Sequence, residues 1–188
     1  MVSPALDSFI AASKACAARH AEPADCVAAI VPLMCELLRH ADSFLAPQHL
    51  RADPLHYARN AIHVAPDRGL SLYALVWTPG QWTPVHDHGS WGVVGVWRGM
   101  LEERSYVRNG AIEADTGIAL QRGGVILLGP GSVTSFVPNP DHIHLTGVSA
   151  EREQVVSLHL YGRNMDSFHL YDVDAGTRRR VNLEHNES

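Results

Sequence analysis

From Pro54 onward, the sequence is a series of short apolar runs that Gly and Pro separate, with no helical segment between them. Five of these runs have the composition of β-strands: residues 70–77, 85–88, 91–97, 124–128 and 155–161. Many short strands without intervening helices predict an antiparallel β-barrel or jelly roll. A small barrel can enclose one small ligand, which inward side chains contact at alternating positions along each strand.

Residues 3 to about 50 have a different pattern, which predicts helices. One helix should begin near Pro4, a second near Glu22, and a short third with a cap at Asp42 and Ser43. A chain of 188 residues is expected to form one domain. We therefore predict an N-terminal helical segment over residues 1–52 and a β-barrel over residues 53–188, within a single domain.

Composition excludes several classes of function. The net charge is -5, and no basic cluster is larger than residues 178–180, which argues against nucleic-acid binding. No apolar run has membrane-spanning length, and the N-terminus lacks the pattern of a signal peptide. The spacing of the three cysteines fits no zinc motif. We expect a cytoplasmic monomer that binds neither nucleic acid nor a membrane.

The predicted strand at residues 85–88 carries two histidines with metal-binding spacing. Side chains alternate along a strand, so His86 and His88 should share one face and Asp87 the other. A third imidazole from another strand would leave positions open for substrate, as in catalytic rather than structural metal sites. His142 and His144 are both candidates for this third ligand, and spacing alone does not choose between them.

A second polar row lies on the predicted strand at residues 155–161. Ser157, His159 and Tyr161 share one face, and Leu158 and Leu160 occupy the other. If the polar face lines the barrel, Ser157 would fix His159, and His159 would orient the Tyr161 hydroxyl toward the metal, because buried polar groups need partners. The alternative is a polar outer face with the leucines inside.

The histidines also belong to a longer pattern of spaced residues. This pattern resembles the two-part signature of the cupin superfamily, and its positions here are Gly80, His86, His88 and Gly99, then Gly124, Pro130 and His144. Where most cupins carry a glutamate ligand, this chain has Gly92. The resulting set of three histidines resembles the thiol dioxygenases of the cysteine dioxygenase family. The resemblance implies an all-β cupin barrel (jelly roll) with an N-terminal α-helical segment.

The same resemblance implies roles for individual residues. In these dioxygenases the third histidine lies thirteen residues before the serine of a Ser-x-His-x-Tyr strand, which selects His144. The implied cofactor is one Fe(II) per chain, and the implied substrates are a small thiol and O2. A guanidinium can hold a carboxylate through two hydrogen bonds, and Arg59 matches the arginine that does so in the family. The implied site residues are His86, His88 and His144 for the metal, Ser157, His159 and Tyr161 for catalysis, and Tyr57, Arg59 and Trp77 for the substrate.

The chain departs from animal cysteine dioxygenases in ways that bear on its substrate. Gly92 matches the cysteine that those enzymes crosslink to the active-site tyrosine, so no thioether with Tyr161 is expected. Residues 83–95 resemble bacterial 3-mercaptopropionate dioxygenases, which usually have Gln in place of Arg59. The prediction is a dioxygenase that converts L-cysteine to its sulfinic acid. The alternatives are 3-mercaptopropionate or mercaptosuccinate as substrate, a zinc or nickel cupin that acts as a Lewis acid, and a non-enzymatic cupin that binds a small carboxylate.

Overall fold

The structure is a computed structural model that describes residues 3–110, 113–138 and 142–182. The chain begins with helices α1 (Pro4–Arg19) and α2 (Pro23–Arg39), followed by 3-10 turns at Ala41–Ser43 and Pro47–Leu50. The predicted third helix is thus a turn of three residues that contains Asp42 and Ser43, and neither side chain caps its start. The ends of the two predicted segments, residues 1–2 and 183–188, lie outside the described residues. Neither α-helix in the described ranges is long and apolar enough to cross a membrane.

The described residues form eleven strands in two antiparallel sheets. The strands are β1 (Ala58–Val64), β2 (Ser71–Trp77), β3 (Val85–His86), β4 (Gly92–Arg98), β5 (Leu101–Arg108), β6 (Leu120–Leu128), β7 (Val133–Phe136), β8 (Ile143–Gly147), β9 (Val155–Tyr161), β10 (Ser167–Asp172) and β11 (Thr177–Asn182). The five-stranded sheet has the order β1-β2-β9-β4-β7, and the six-stranded sheet has the order β11-β10-β3-β8-β5-β6. This architecture confirms the predicted all-β barrel with an N-terminal helical segment.

All five predicted strand segments contain strands, although their lengths differ from the prediction. The segment at residues 85–88 forms a strand only over Val85–His86, and the segment at 124–128 begins earlier, at Leu120. Six further strands, β1, β5, β7, β8, β10 and β11, were not predicted. Arg59 lies within one of these further strands, β1.

The helices pack on the outer face of the five-stranded sheet, where Ile30, Met34 and Leu37 of α2 share one apolar cluster with Leu158 and Leu160 of β9. The other face of this sheet points into the barrel. Consequently every residue of β2 and β9 is buried, so these strands form continuous buried runs and not the alternating pattern of a half-exposed strand.

The barrel interior lies between the two sheets. A second apolar cluster joins Trp77, Val94 and Phe136 of the five-stranded sheet to Leu101 and Leu128 of the six-stranded sheet. The turn between β4 and β5 contains Gly99 with φ 75°, where a Cβ would lie 2.5 Å from the carbonyl oxygen of Gln154. This position therefore requires glycine.

Candidate active site

Three histidines, from β3, from the segment that follows it and from β8, meet inside the barrel. His86 of β3 is the direct cross-strand partner of His144 of β8, and His88 follows just beyond the end of β3. Their ring centroids are 4.8 Å apart for His86 and His88, 4.7 Å for His86 and His144, and 4.9 Å for His88 and His144. One nitrogen of each ring lies within 4.8 Å of the others. The nearly equilateral arrangement can hold one metal ion.

The protonation of these imidazoles suits metal binding. Burial lowers the pKa of His86 to about 3, with a further contribution from His144, and burial also holds the pKa values of His88 and His144 below their usual range. All three rings are therefore neutral at pH 7, which is the ligand form. Nδ1 of His86 lies 3.0 Å from the carbonyl oxygen of Pro84. Because a carbonyl only accepts, this nitrogen carries the proton and Nε2 keeps a free lone pair.

A partnerless polar atom also fits a bound ligand at this site. Within the described part of the chain, the buried Nδ1 of His88 has no hydrogen-bond partner. Buried polar groups usually have a partner, so an exception of this kind calls for an explanation, and the capacity to bind a metal ion at this position is one. Three neutral imidazoles suit Fe, Zn, Cu and Ni alike. The residues present therefore fit a divalent transition metal, although their identity does not select iron.

His142, the other candidate for the third ligand, lies outside this triangle. Its ring stacks on Phe136 at 4.8 Å with an interplanar angle of 5°. Its Nε2 lies 3.1 Å from Oε1 of Glu103 and 3.1 Å from Nδ1 of His144. His142, Glu103 and His144 form a second group with ligand-like spacing. His144 is thus the histidine that the structure brings together with His86 and His88.

The polar face of β9 points into the barrel and forms a chain of hydrogen bonds. Nε1 of Trp77 donates to Oγ of Ser157 at 3.0 Å, and this Oγ lies 2.8 Å from Nε2 of His159. Nδ1 of His159 lies 3.2 Å from the hydroxyl of Tyr161. Trp77, which is fully buried, begins this series of hydrogen bonds. The sequence pattern did not reveal its contact with Ser157.

Burial sets the charge of the groups in this chain. It lowers the pKa of His159 to about 3 and raises the pKa of Tyr161 well above its usual value. Both groups are therefore neutral at pH 7. The Tyr161 side chain keeps its hydroxyl proton, and its ring lies 5.7 Å from the ring of His88. The phenol can donate a hydrogen bond to a ligand beside the histidine triangle.

The three predicted substrate residues, Tyr57, Arg59 and Trp77, line one pocket together with the histidine triangle. His159 and Tyr161 line it as well. Tyr57 stacks on Trp77 with ring centroids 4.6 Å apart. The Arg59 guanidinium lies 4.6 Å from the centre of the Tyr73 ring, and its Nη2 donates to the carbonyl oxygen of Met165 at 3.2 Å. Among the described residues, Arg59 is the only arginine or lysine that lines this pocket. One end of the pocket is therefore suited to an anion.

Asp87, between the two histidines of β3, is tied to β10 and does not line the pocket. Its Oδ1 accepts the backbone N–H of His169 at 2.9 Å, and its Oδ2 accepts Nδ1 of His169 at 3.0 Å and the hydroxyl of Tyr171 at 2.8 Å. Because β3 has only two residues, these bonds fix the segment that carries His86 and His88.

Phe136 fills the space beside Gly92. The two residues are cross-strand partners, and the Phe136 ring lies 4.3 Å from the ring of His88. A Cβ added to Gly92 would lie 2.3 Å from Cζ of Phe136. Gly92 is also the cross-strand partner of Tyr161, so a glycine stands opposite the tyrosine, and glycine has no sulfur for a thioether.

We expect Gly92→Ala to destabilise the protein by about 1–3 kcal/mol, the usual cost of overpacking a core. The added methyl group meets an aromatic ring that His88 and His142 hold in place. The free energy of unfolding in urea measures this effect. Gly124→Ala is the matched control, because the nearest atom to its Cβ is 3.9 Å away. Equal stability of the two variants would contradict the close fit at Gly92.

Comparison with known proteins gives one family and a set of distant structures. The model of a family described as cysteine dioxygenase type I matches residues 24–174, which include β1 to β10 and every pocket residue. A conserved protein with a double-stranded β-helix domain from Klebsiella pneumoniae is similar over 70% of this chain and 94% of its own, at 15% identity and a TM-score of 0.48. An RmlC-like cupin protein from Ralstonia eutropha is similar over 71% of this chain and 72% of its own, at 15% identity and a TM-score of 0.47.

Proposed function

This chain belongs to the cysteine dioxygenase type I family, and from that premise we propose that it oxidises a small carboxylate-bearing thiol to its sulfinic acid with O2. The proposed cofactor is one Fe(II), held by His86, His88 and His144, and the first candidate substrate is L-cysteine. One observation carries the proposal: a triangle of neutral histidines, the buried hydroxyl of Tyr161 and the guanidinium of Arg59 share one pocket.

The proposed role of each residue in the site follows from its charge and its hydrogen bonds. Bound iron would supply a site where the sulfur of the substrate and O2 come together, and both oxygen atoms end on sulfur. Arg59 holds the substrate carboxylate by charge-assisted hydrogen bonds, which fixes the distance between that group and the histidine triangle. Tyr161 donates a hydrogen bond at the reacting end of the substrate. His159, in turn held by Ser157, keeps the Tyr161 hydroxyl in position.

The direct test measures O2 uptake by the iron-loaded protein with single thiols. L-cysteine, 3-mercaptopropionate and mercaptosuccinate are compared at equal concentration, and the product is analysed for two oxygen atoms derived from labelled O2. The proposal requires equal consumption of thiol and O2, with a sulfinic acid as the product. No uptake with any of the three thiols would contradict it and would favour a cupin that only binds a small carboxylate.

3-Mercaptopropionate is the second candidate substrate. Residues 83–95 favour it, because they resemble the dioxygenases of that thiol, whereas Arg59 favours cysteine. If 3-mercaptopropionate is oxidised far better than cysteine, the assignment of cysteine is wrong and that of a thiol dioxygenase stands. Metal analysis of protein purified without added metal separates iron from a zinc or nickel Lewis acid.

We expect Arg59→Ala to reduce kcat/KM for the carboxylate-bearing thiol by about ten- to a hundredfold. Hydrogen bonds to charged groups contribute roughly 1.5–3 kcal/mol, and about 1.4 kcal/mol corresponds to a factor of ten. Steady-state kinetics with the thiol that wild type prefers measures the loss.

Two controls separate carboxylate binding from a general effect. Cysteamine has no carboxylate, so it should be a poor substrate for wild type and variant alike. Arg98→Ala removes an exposed arginine that stacks on Trp97 outside the pocket, and its kcat/KM should equal that of wild type. A similar loss in both variants would refute a specific role for Arg59.

A further inference from the structure

Glu103 of β5 is a carboxylate buried beside the histidine triangle. It is 6% exposed, and charged side chains are rarely so buried unless they are paired. Its neighbour Glu102 has an ordinary partner instead, since Nε of Arg104 donates to it at 2.8 Å. Among the described residues, these two adjacent glutamates thus occupy different environments: Glu102 pairs with an arginine and Glu103 contacts histidine.

The contacts of Glu103 are both made to imidazole nitrogens. Its Oε1 lies 3.1 Å from Nε2 of His142 and 3.4 Å from Nδ1 of His144. The strand register explains this approach: Ser105 of β5 stands opposite His144, so Glu103 is the diagonal neighbour of His144 on the same face. Because an ionised carboxylate only accepts, Nε2 of His142 donates to Oε1 of Glu103. Nδ1 of His144 lies 3.1 Å from this same Nε2, but a nitrogen that carries a proton does not accept one, so the carboxylate is the acceptor for Nδ1 of His144.

We propose that Glu103 is a positioning residue of the metal site, which accepts the Nδ1 proton of His144 and so leaves Nε2 of His144 free to bind the metal. Metal-binding histidines commonly donate their other N–H to a carboxylate in this way. The inference rests on the metal triangle of the proposed function and is independent of the thiol chemistry.

The carboxylate also supplies charge. The three histidines are neutral, so they leave a divalent metal ion uncompensated. Glu103 places one negative charge next to His144, inside the barrel, where such an interaction is weakly screened. A neighbouring carboxylate also raises the basicity of the imidazole ligand. The site can thus resemble the usual cupin set of histidines and one glutamate in charge, with the carboxylate outside the ligand sphere.

His142 is the second histidine that contacts the Glu103 carboxylate. Its side chain is 25% exposed, whereas that of Glu103 is buried, so the contact joins a buried carboxylate to a more exposed imidazole. Its stacking on Phe136 fixes the ring. This contact gives a function to the histidine that the metal triangle leaves out.

The test compares Glu103→Gln with Glu102→Gln, the same substitution at the adjacent position. Fe(II) affinity is measured without O2 by competition with a chromophoric chelator, on metal-free protein whose folding is checked by circular dichroism. We expect Glu103→Gln to bind Fe(II) about 10–100-fold more weakly, the usual cost of losing such a partner. Glu102→Gln should stay within about threefold of wild type.

The reduction potential of the iron gives a second measurement that a purely structural role would leave unchanged. A negative charge near the metal stabilises Fe(III) more than Fe(II), so Glu103→Gln should raise the potential and Glu102→Gln should not. Should Glu103→Gln fail to fold, Glu103→Asp serves instead. It keeps the charge but is one methylene shorter, so its contact with His144 weakens and Fe(II) affinity should still fall.

Three results would overturn the inference. The first is Fe(II) affinity in the folded Glu103 variant within about threefold of wild type, and the second is an equal loss in Glu102→Gln. The third is binding of two metal ions per wild-type chain with only one in Glu103→Gln, which would make the carboxylate a direct ligand. If Fe(II) affinity depends on Glu103 but no thiol is oxidised, the proposed function fails and this inference stands.

Discussion

His144→Ala is expected to lose nearly all bound iron and, with it, nearly all O2 consumption. His144 contributes one of the three rings of the triangle, and two neutral imidazoles hold Fe(II) weakly. Loss of a residue that only supports a ligand costs about 10–100-fold in metal affinity, so the loss of a ligand should cost more than about 100-fold. Iron content per folded chain after purification, measured by elemental analysis, tests this result.

His142→Ala is the matched comparison, because this histidine lies two residues away in sequence and 4.5 Å from the His144 ring. It should keep most of its iron, since it contacts Glu103 and Phe136 and lies outside the triangle. Exposed His56 provides a further control, and His56→Ala should have normal iron. Normal iron in His144→Ala with loss in His142→Ala would make His142 the third ligand.

Features that depend on local strand geometry were predictable from sequence. The alternation of side chains placed His86 with His88, and it placed Ser157, His159 and Tyr161 on one face of β9. Alternation alone did not predict whether this polar face points into the barrel or away from it. Both faces of β9 are buried, one under the helices and one in the barrel, so apolar content could not distinguish inside from outside.

Features that depend on pairing between distant strands could not be predicted. The sequence of β5 contains four charged residues, Glu102, Glu103, Arg104 and Arg108, which obscure its alternation, and the strand was missed. Once β5 is known, burial of Leu101 and Glu103 two residues apart indicates an inward glutamate. Its contact with His144 arises only from the register of β5 against β8, about forty residues away in sequence.

Long-range contacts also act where β3 ends. The predicted strand at residues 85–88 ends at His86, and just beyond it the Asp87 side chain bonds to His169 and Tyr171 of β10. Nη2 of Arg163 then donates to the carbonyl oxygen of His88 at 2.8 Å. These partners lie some 80 residues downstream, so local pattern gives no sign of them. The two histidines nevertheless meet His144, because the contacts of Asp87 and His88 hold the segment after the strand ends.

Tyr161 offers a test of chemistry that is separate from metal binding. Its hydroxyl is linked through His159 and Ser157 to the fully buried Trp77, so three other side chains set its position. Burial raises the pKa of the phenol, so the group remains a hydrogen-bond donor across the neutral pH range. Because Gly92 provides no sulfur, the phenol should be free, and the protein should run as a single band on denaturing gels.

Tyr161→Phe is therefore expected to reduce kcat by about 10²–10⁴-fold, the usual contribution of a positioned acid, base or hydrogen-bond donor. Iron content and the free energy of unfolding should change little, because only one hydroxyl is removed. Rates are compared at equal iron content. Tyr106→Phe is the matched control, since Tyr106 is partly buried but lies outside the pocket, and its rate should equal that of wild type. Normal turnover in Tyr161→Phe would show that the chain of hydrogen bonds from Trp77 to Tyr161 supports the fold and takes no part in the reaction.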